Sequence, residues 1–262
     1  PLKRKKKLST YWKIVRELRK ENGELGVIFV NTFISALLFR LGNVKKNIGY
    51  NREGRGFLLD FSPEINYHKH YINRYAFLFN EYIGNKYVYL PELSLRYTGQ
   101  KTFQFDNSHK TIALYLGGEN KEFRKYPDEY AVQLLRLLNR QGYNLLLIGD
   151  ENDNIKHTQY AEEARIDHLI NLTARTTIEG FINTIANVDL IITIDSSALH
   201  IAAAVKTPFI ALMGLSTSPT STILPKVPLG RILKIENNLI REEDYIRNIT
   251  PDLILKTISE LI

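Results

Sequence analysis

The segment DSSALH, residues 195–200, places a carboxylate, two hydroxyls and an imidazole close together. It follows the apolar run DLIITI and precedes an alanine-rich stretch, a pattern typical of a strand that leads into a helix. If Ser196 or Ser197 caps that helix, the first helical amides point to the carboxyl edge of the sheet, where they and the helix dipole favour a phosphate. His200, one turn further, can face the same ligand. In the alternative, which the segment alone favours slightly, Asp195 and the serines only cap the helix and His200 hydrogen-bonds in the core.

Two further polar clusters follow apolar runs, in GGENKEFRKYP after TIALYL and in IGDENDN after YNLLL. In the first, Gly117 and Gly118 let the backbone approach a ligand closely, and Arg124 and Lys125 can neutralise a phosphate. In the second, acids such as Glu151 stand where a carboxylate often holds ribose hydroxyls. Taken singly, the clusters are equally well explained as a flexible charged loop and an ordinary helix start. Because the carboxyl ends of parallel strands share one edge of a sheet, we expect the three clusters to converge on one crevice.

The surrounding sequence predicts the elements that position these clusters. Between residues 107 and 214, apolar strand-like runs alternate with helix-like patterns, which indicates a doubly wound parallel sheet of the nucleotide-binding type. The first hundred residues contain too few strands for a complete domain, and NIGYNREGRGFLLD, residues 47–60, is predicted to be a loop. A polar stretch near 100–108 is typical of a linker. We therefore expect one domain over residues 1–106 and a second over residues 107–262.

Composition narrows the function classes. The chain has no cysteine, which excludes disulfides and thiolate metal sites and suits a reducing compartment. Phosphate-loop, GxGxxG and GxSxG motifs are absent, and the alternating His68 and His70 give only weak support for a metal. Residues 1–20 hold nine Lys and Arg against one Glu, while the whole chain has a formal net charge of +7. One basic block does not indicate a nucleic-acid-binding domain; a solvated chain start is favoured, with attraction to an anionic membrane as the other interpretation.

These ordered segments resemble glycosyltransferase family 9, whose best-known members are the ADP-heptose:lipopolysaccharide heptosyltransferases, and are most similar to the type II enzymes. IDSSALHIAAAVKTPFIALMGLSTSP is similar to the family's D-[TS]-G-x-x-H motif, alanine-rich helix and following strand. LYLGGENKEFRKYP aligns with its L-H-P-G-A…K-R-W-P segment, and NLTARTT with N-L-x-G-[KR]-T-[ST]. Upstream, NTFISALLFRLGNVKKNIGYNREGRG is similar to a segment that ends in G-R-G. The resemblance covers nearly the whole chain.

The resemblance implies a GT-B architecture, in which two Rossmann-like domains face a cleft. The donor nucleotide would lie in the C-terminal domain and the acceptor in the N-terminal one, which we expect to be incomplete because the chain lacks the family's first strands. The implied catalytic residues are Asp195 and Arg124. The implied donor-binding residues are Gly117, Gly118, Lys125, Glu151, Ser196, Ser197 and His200. The implied acceptor-side residues are Asn31, Thr32, Arg52 and Arg55.

Three residues depart from the family pattern. Ser197 and Ala174 stand where the family has glycine, and Arg124 stands where a lysine is usual. These changes leave a different sugar donor open as an alternative, and they do not imply a loss of activity.

The function implied by the resemblance is inverting, metal-independent transfer of a sugar, heptose from ADP-heptose, to a lipopolysaccharide core or related glycan. No cofactor beyond the nucleotide sugar is expected. The alternatives are a nucleotide-sugar 2-epimerase of GT-B type and a non-catalytic remnant that binds a nucleotide sugar or glycan. We expect a cytoplasmic protein that does not bind nucleic acid. If the heptosyltransferase interpretation holds, the basic N-terminal segment would contact the anionic inner membrane surface and acceptor phosphates.

Overall fold

The computed structural model describes residues 8–89, 92–105, 108–214, 224–225, 227–235 and 241–262. The described residues form two compact units, one that ends before residue 92 and one that begins at Glu92. Each unit contains parallel strands and helices, so the predicted α/β class is confirmed.

The second unit contains a six-stranded parallel sheet in the order β5-β4-β3-β6-β7-β8. Its strands are β3 (Thr111–Tyr115), β4 (Asn144–Leu147), β5 (Leu169–Asn171), β6 (Leu190–Ile194), β7 (Phe209–Leu212) and β8 (Gly230–Leu233). Its helices are α4 (Asp128–Arg140), α5 (Asn154–Ala164), α6 (Ile178–Ala186), α7 (Ser197–Val205) and a final helix, Pro251–Ile258. Helix α4 packs on α5 and on the final helix, whereas α6 packs on α7. The sheet is therefore flanked by two separate helical layers.

The strands of this sheet are apolar throughout because both faces are covered. Every residue of β3, β4, β6 and β7 is buried, so these strands read as continuous apolar runs rather than as an alternating pattern. Helix α4 begins after Pro127 and carries Asp128 and Glu129 in its first turn, where acids complement the helix dipole. Local sequence and burial thus specify the same elements.

The order of strands contains a topological switch point between β3 and β6. The two strands are neighbours, with Tyr115 opposite Thr193, but the chain leaves β3 toward β4 on one side and leaves β6 toward β7 on the other. The loops that follow β3 and β6 therefore diverge at the carboxyl edge, the position at which open α/β sheets bind ligands.

The first unit consists of a two-stranded parallel sheet and three helices. Its elements are α1 (Leu8–Glu21), β1 (Leu25–Ile28), α2 (Phe33–Leu41), β2 (Lys46–Gly49) and α3 (Tyr71–Tyr82). Ile28, Ala36 and Leu58 form one cluster of its buried apolar residues. The expectation of a loop from residue 47 was wrong for Asn47–Gly49, which pairs with β1. Asn and Gly are poor strand formers, so the sequence of β2 does not predict a strand. The strand is defined instead by its pairing with β1 and by its burial.

The stretch expected to be a linker packs against the second unit. The amide of Leu95 donates to the carbonyl of Ala204, and Thr98 exchanges two hydrogen bonds with the side chain of Asn183. Further along, the hydroxyl of Thr102 lies 2.6 Å from that of Thr184. These contacts, from just before the expected linker and from Thr102 within it, associate these residues with the second unit, and the 106/107 boundary stays a prediction. Among the described residues, no helix combines the length and apolar character needed to cross a membrane.

Candidate functional site

The first predicted cluster meets the second directly across the switch point. Arg124 is the last residue of a 3₁₀ turn, Glu119–Arg124, that follows β3. Its Nη1 donates to the carbonyl oxygen of Asp195, 3.4 Å away, at the end of β6. A guanidinium therefore lies beside the start of α7. A cation and a helix N-terminus both favour a bound anion, and here the two lie next to each other at the start of α7.

Helix α7 begins with a complete side-chain cap. Ser196 is the N-cap, and its Oγ accepts from the amide of Ala198 at 3.2 Å and lies 3.0 Å from Oγ1 of the fully buried Thr193. The exposed Ser197 follows as the first helical residue, and the half-buried His200 comes one turn later. Other amides of the first turn have no acceptor within the helix, as at any helix start. The predicted serine cap is thus observed at Ser196, while a ligand contact by His200 stays a prediction.

The two glycines after β3 are tightly packed against protein atoms. Gly117 has a φ of +79°, which favours glycine, and a Cβ there would lie 2.6 Å from Cδ1 of Ile194. A Cβ at Gly118 would lie 2.6 Å from the carbonyl oxygen of Asn152. Gly117 therefore fits the loop against β6, while Gly118 fits it against the turn that follows β4.

The third cluster contacts the second through an ion pair that sequence patterns did not suggest. Lys121 lies 2.9 Å from Asp150 Oδ2, and its ammonium stands 5.6 Å from the ring centre of Tyr115. Burial alone raises the pKa of Asp150, but the hydrogen bonds from Lys121 and from the amide of Asn152 outweigh it and lower the pKa. Glu151, the next residue, is exposed and begins the 3₁₀ turn Glu151–Asp153. Its carboxylate is therefore accessible at the edge of the sheet.

Lys125 takes part in a cluster at the start of α4. Its ammonium lies 2.8 Å from Asp128 Oδ1, and Lys156 lies 3.0 Å from Oδ2 of the same carboxylate. Tyr160 donates a short hydrogen bond to it. Burial raises the pKa of Asp128, but the hydrogen bonds from Lys125, Tyr160 and Lys156 outweigh burial and lower the pKa to about 2. The charge of Lys125 is thus shared with a partly exposed carboxylate at the start of α4.

A buried polar network under Glu151 was missed by the sequence analysis. Asp153 and His157 are both fully buried, and Oδ2 of Asp153 accepts from the amide of Asp150 at 3.0 Å. His157 Nδ1 lies 2.7 Å from Oγ1 of Thr173, in the loop after β5. Burial lowers the pKa of His157 to about 4, despite the opposing carboxylates of Asp153 and Asp150. The four-residue spacing of Asp153 and His157 at a helix start was the available signal.

The residues predicted for the acceptor side lie in the first unit and have different environments. Arg55 is fully buried and donates to the carbonyls of Tyr50 and Val30 and to Oγ of Ser35, and burial lowers its pKa. Its Nη2 also donates to Oδ1 of Asn31, 2.9 Å away. These bonds hold the turn between β1 and α2.

The other two predicted residues have simpler settings. Thr32 caps α2 by accepting from the amide of Ser35 at 3.3 Å. Arg52 is exposed, with its guanidinium 5.3 Å from the ring centre of Tyr67. Of the four acceptor-side residues, Arg52 is therefore the one with an exposed charge.

The fold and the carboxyl-edge cluster together define a Rossmann-like α/β protein of the nucleotide-binding type. A glycine-containing loop, a guanidinium and a helix N-terminus meet at the switch point, and an exposed carboxylate follows the next strand. These groups can bind a diphosphate and hydroxyl groups beside it. Within the described residues, no group of three or more His, Asp or Glu side chains is arranged to hold a metal ion.

The chain belongs to glycosyltransferase family 9 (heptosyltransferase), whose sequence model matches residues 11–243. Lipooligosaccharide heptosyltransferase 2 of Haemophilus influenzae is 26% identical over an alignment of 281 positions. The alignment covers 97% of this chain and 81% of that protein. Lipopolysaccharide heptosyltransferase 2 of Salmonella typhimurium is 22% identical over 94% of this chain and 77% of its own length. The predicted family is confirmed, and the protein is a glycosyltransferase.

Solved structures agree with this assignment at the level of the fold. Escherichia coli ADP-heptose lipopolysaccharide heptosyltransferase II matches with a TM-score of 0.82 and 21% identity, covering 97% of this chain and 81% of that one. Escherichia coli heptosyltransferase WaaC with ADP-2-deoxy-2-fluoro heptose matches with a TM-score of 0.71 and 15% identity, covering 96% and 76% of the two chains. The predicted GT-B type, built from Rossmann-like units, is confirmed.

Proposed function

We propose that the protein transfers a heptosyl group from ADP-heptose to a lipopolysaccharide core or a related glycan, with inversion at the anomeric carbon and without a bound metal. Family membership and relatives named as heptosyltransferases support the reaction class. The structure solved with ADP-2-deoxy-2-fluoro heptose has the same fold, and the proposal extends its ADP-linked donor to this chain.

The hydrogen bond from Arg124 to the carbonyl of Asp195 carries this proposal. It holds a guanidinium next to the first amides of α7, so that two anion-binding groups converge on one place. A departing diphosphate gains negative charge as the glycosidic bond breaks, and fixed donors aimed at that charge lower the barrier. Arg124 and the start of α7, including Ser196, Ser197 and His200, therefore stabilise the leaving group.

The remaining donor contacts follow from the same edge of the sheet. Gly117 and Gly118 shape the loop that faces the diphosphate, and Lys125 adds positive charge while it pairs with Asp128. Glu151 accepts hydrogen bonds from the ribose hydroxyls. Asp195, directly before the cap, accepts hydrogen bonds from sugar hydroxyls and orients the anomeric carbon.

In the reaction, an acceptor hydroxyl attacks the anomeric carbon as the bond to the diphosphate oxygen breaks, and the hydroxyl proton leaves to a base. Attack from the face opposite the leaving group inverts the configuration. On the acceptor side, we propose that Arg52 contacts an acidic group of the glycan. Asn31 and Thr32 lie on the turn between β1 and α2 that the buried Arg55 holds in shape, and we propose that they contact the same glycan.

The proposal includes a cytoplasmic location with peripheral contact to an anionic membrane surface. Leu8 and Trp12 lie one turn apart on α1 and are 78% and 59% exposed. Lys13 and Arg16 are exposed on the same helix. An exposed apolar pair flanked by cations is typical of helices that lie on anionic membranes.

The decisive experiment measures binding and transfer with the purified chain. We expect calorimetry to detect ADP binding, and heptose transfer from ADP-heptose to a heptose-deficient core glycan to continue in EDTA. Nuclear magnetic resonance of the product should show the anomeric configuration opposite to that of the donor. Absence of nucleoside diphosphate binding refutes the proposal, and turnover of a UDP-sugar without acceptor assigns the protein to the 2-epimerase class instead.

Two variants test the site. Arg124→Ala should lower kcat by about 10²- to 10³-fold, the usual effect of removing one fixed donor to a developing anion, and Arg124→Lys should restore most of the rate because it keeps the charge. Asp195→Ala should also abolish most of the transfer. Arg140→Ala removes an exposed cation from the opposite end of α4 and should leave kcat unchanged. Unchanged rates in Arg124→Ala and Asp195→Ala would contradict the assignment.

A further inference from the structure

The carboxylate of Asp153 is an unusual feature of the turn that carries Glu151. Asp153 is fully buried beside Tyr115, whose pKa is raised by burial and by the carboxylates of Asp153 and Asp150, and its Oδ1 has no partner that meets hydrogen-bond geometry among the described residues. Nε2 of the neighbouring His157 is likewise buried and without a partner in that part of the chain. Buried polar atoms are nearly always paired, since each unpaired one is costly. An unpaired carboxylate oxygen in this place lowers stability, which raises the question of what Asp153 does for the turn that carries Glu151.

The other carboxylate oxygen of Asp153, Oδ2, accepts one of two hydrogen bonds that span Glu151. Oδ2 of Asp153 accepts from the backbone amide of Asp150, while Oδ1 of Asp150 accepts from the amide of Asn152. The two side chains form a reciprocal capping box that spans the whole turn. The backbone on both sides of Glu151 is therefore fixed by one buried and one partly exposed carboxylate.

The neighbouring glycines leave space for Asp153. A Cβ added at Gly118 would lie 3.0 Å from Oδ1 of Asp153, and one added at Gly149 would lie 2.9 Å from Oδ2. The loop after β3 and the end of β4 thus approach the same carboxylate from two directions. Gly118, which the sequence suggested for close approach to a ligand, owes its tight packing to this turn.

The position of Glu151 also depends on what surrounds the network. Lys121 pairs with Asp150, and the loop after β5 is bound to the end of β4 through the amide of Ala174, which donates to the carbonyl of Gly149. Loops after three adjacent strands therefore meet around Asp153. A displacement of this residue would move Glu151 relative to the diphosphate-binding groups at β3 and β6.

We propose that Asp153 is a positioning residue that sets recognition of the ribose hydroxyls by holding Glu151 in place through its hydrogen bond to the amide of Asp150. The inference rests on the proposed function, because it assumes that a nucleoside diphosphate binds at this edge of the sheet. It assigns to Asp153 no contact with the ligand.

The test compares the affinity of each variant for ADP and for 2′,3′-dideoxy-ADP by calorimetry. Wild-type protein should bind ADP about tenfold or more tightly than the dideoxy analogue, since hydrogen bonds to a charged carboxylate are among the strong ones. Glu151→Gln and Asp153→Ala should both reduce this ratio toward one, with little change in affinity for the analogue. Asp153→Asn keeps an oxygen acceptor for the amide of Asp150 and should retain most of the ratio.

Controls separate positioning from loss of stability. Thr257→Ala removes a buried hydrogen bond to the carbonyl of Leu253 in the final helix and should leave the ratio unchanged. If Asp153→Ala does not fold, Gly118→Ala moves the same turn by adding a Cβ close to the carbonyl of Asn152 and should lower the ratio.

The outcomes are distinguishable. Wild-type protein that binds no ADP refutes the proposed function, and the inference falls with it. ADP binding with an undiminished ratio in folded Asp153→Ala overturns the inference and leaves the proposed function intact. Equal loss of the ratio in Asp153→Asn and Asp153→Ala also overturns it, because the hydrogen-bond acceptor would then not be the cause.

Discussion

Three single residues differ from the family pattern, and the structure provides a physical explanation for one of them, Ala174. Ala174 has a φ of +60°, in the left-handed region that favours glycine. The amide of Ala174 donates a hydrogen bond to the carbonyl of Gly149. This contact between the loops after β4 and β5 imposes the left-handed conformation. The family's glycine at this position is thus explained by backbone conformation, and the alanine here stores strain.

Ala174→Gly should therefore stabilise the protein. Relief of left-handed strain is worth roughly 1–2 kcal/mol, and the greater entropy of glycine in the unfolded chain offsets about half of it, which leaves a gain of roughly 0.5–1 kcal/mol. Denaturant unfolding would show this as a higher midpoint. The same substitution at Ala161, inside α5, should destabilise by about 1 kcal/mol. A loss of stability in Ala174→Gly would contradict the strain argument.

Other residue roles were predictable only in part. Arg124, Asp195 and Ser196 were placed together from their positions after adjacent strands, and the structure brings them together. Arg55 could not be recognised as internal, because nothing in G-R-G shows that its donors meet main-chain carbonyls more than twenty residues away. Contacts between distant loops have no local sequence signal.

At the scale of elements, strands and helices of the second unit were predictable because burial on both faces produces continuous apolar runs separated by caps and turns. Strand β2 and the polar stretch before β3 were not. In both, backbone pairing or side-chain hydrogen bonds define the structure, as with Asn47 in β2 and Thr98 against α6. Hydrophobic periodicity contains no information about such contacts.

Helix α5 gives the second unit a pH-dependent stability. Its inner face carries His157, whose pKa is lowered to about 4 by burial, against 6.5 in an unfolded chain. A lowered pKa in the folded state means that stability is full above pH 6.5 and is lost as the pH falls toward 4. The difference corresponds to roughly 3 kcal/mol. Denaturant unfolding at a series of pH values should show this loss.

His157→Gln should flatten the pH dependence of the free energy of unfolding between pH 6.5 and pH 4. At pH 7 the variant should be slightly less stable, because its contact with Thr173 is altered. The exposed His168 provides the matched control, since His168→Gln should leave the profile unchanged. Parallel pH profiles for wild-type protein and His157→Gln would show that another group is responsible.

At the scale of the whole molecule, charge is concentrated at one end of the chain. The first twenty residues carry nine of the 35 Lys and Arg, and the rest of the chain is close to neutral. Within the described residues, this basic segment continues into α1, where Trp12 is exposed beside Lys13. Composition suggested this asymmetry, but only the structure identified the exposed apolar pair.

The membrane contact can be measured with an intrinsic probe, because Trp12 is the chain's only tryptophan. Vesicles that contain phosphatidylglycerol should shift its emission to shorter wavelength, and brominated lipids should quench it, whereas phosphatidylcholine vesicles should do neither. Since each cation near the surface contributes about 1 kcal/mol, the double variant Lys13→Gln, Arg16→Gln should bind roughly tenfold or more weakly. The control variant Lys206→Gln, Lys256→Gln removes two exposed cations from the second unit. It should bind the vesicles as tightly as the wild-type protein does. Emission that is insensitive to anionic vesicles would exclude insertion of α1 and leave the basic segment as a solvated part of the chain.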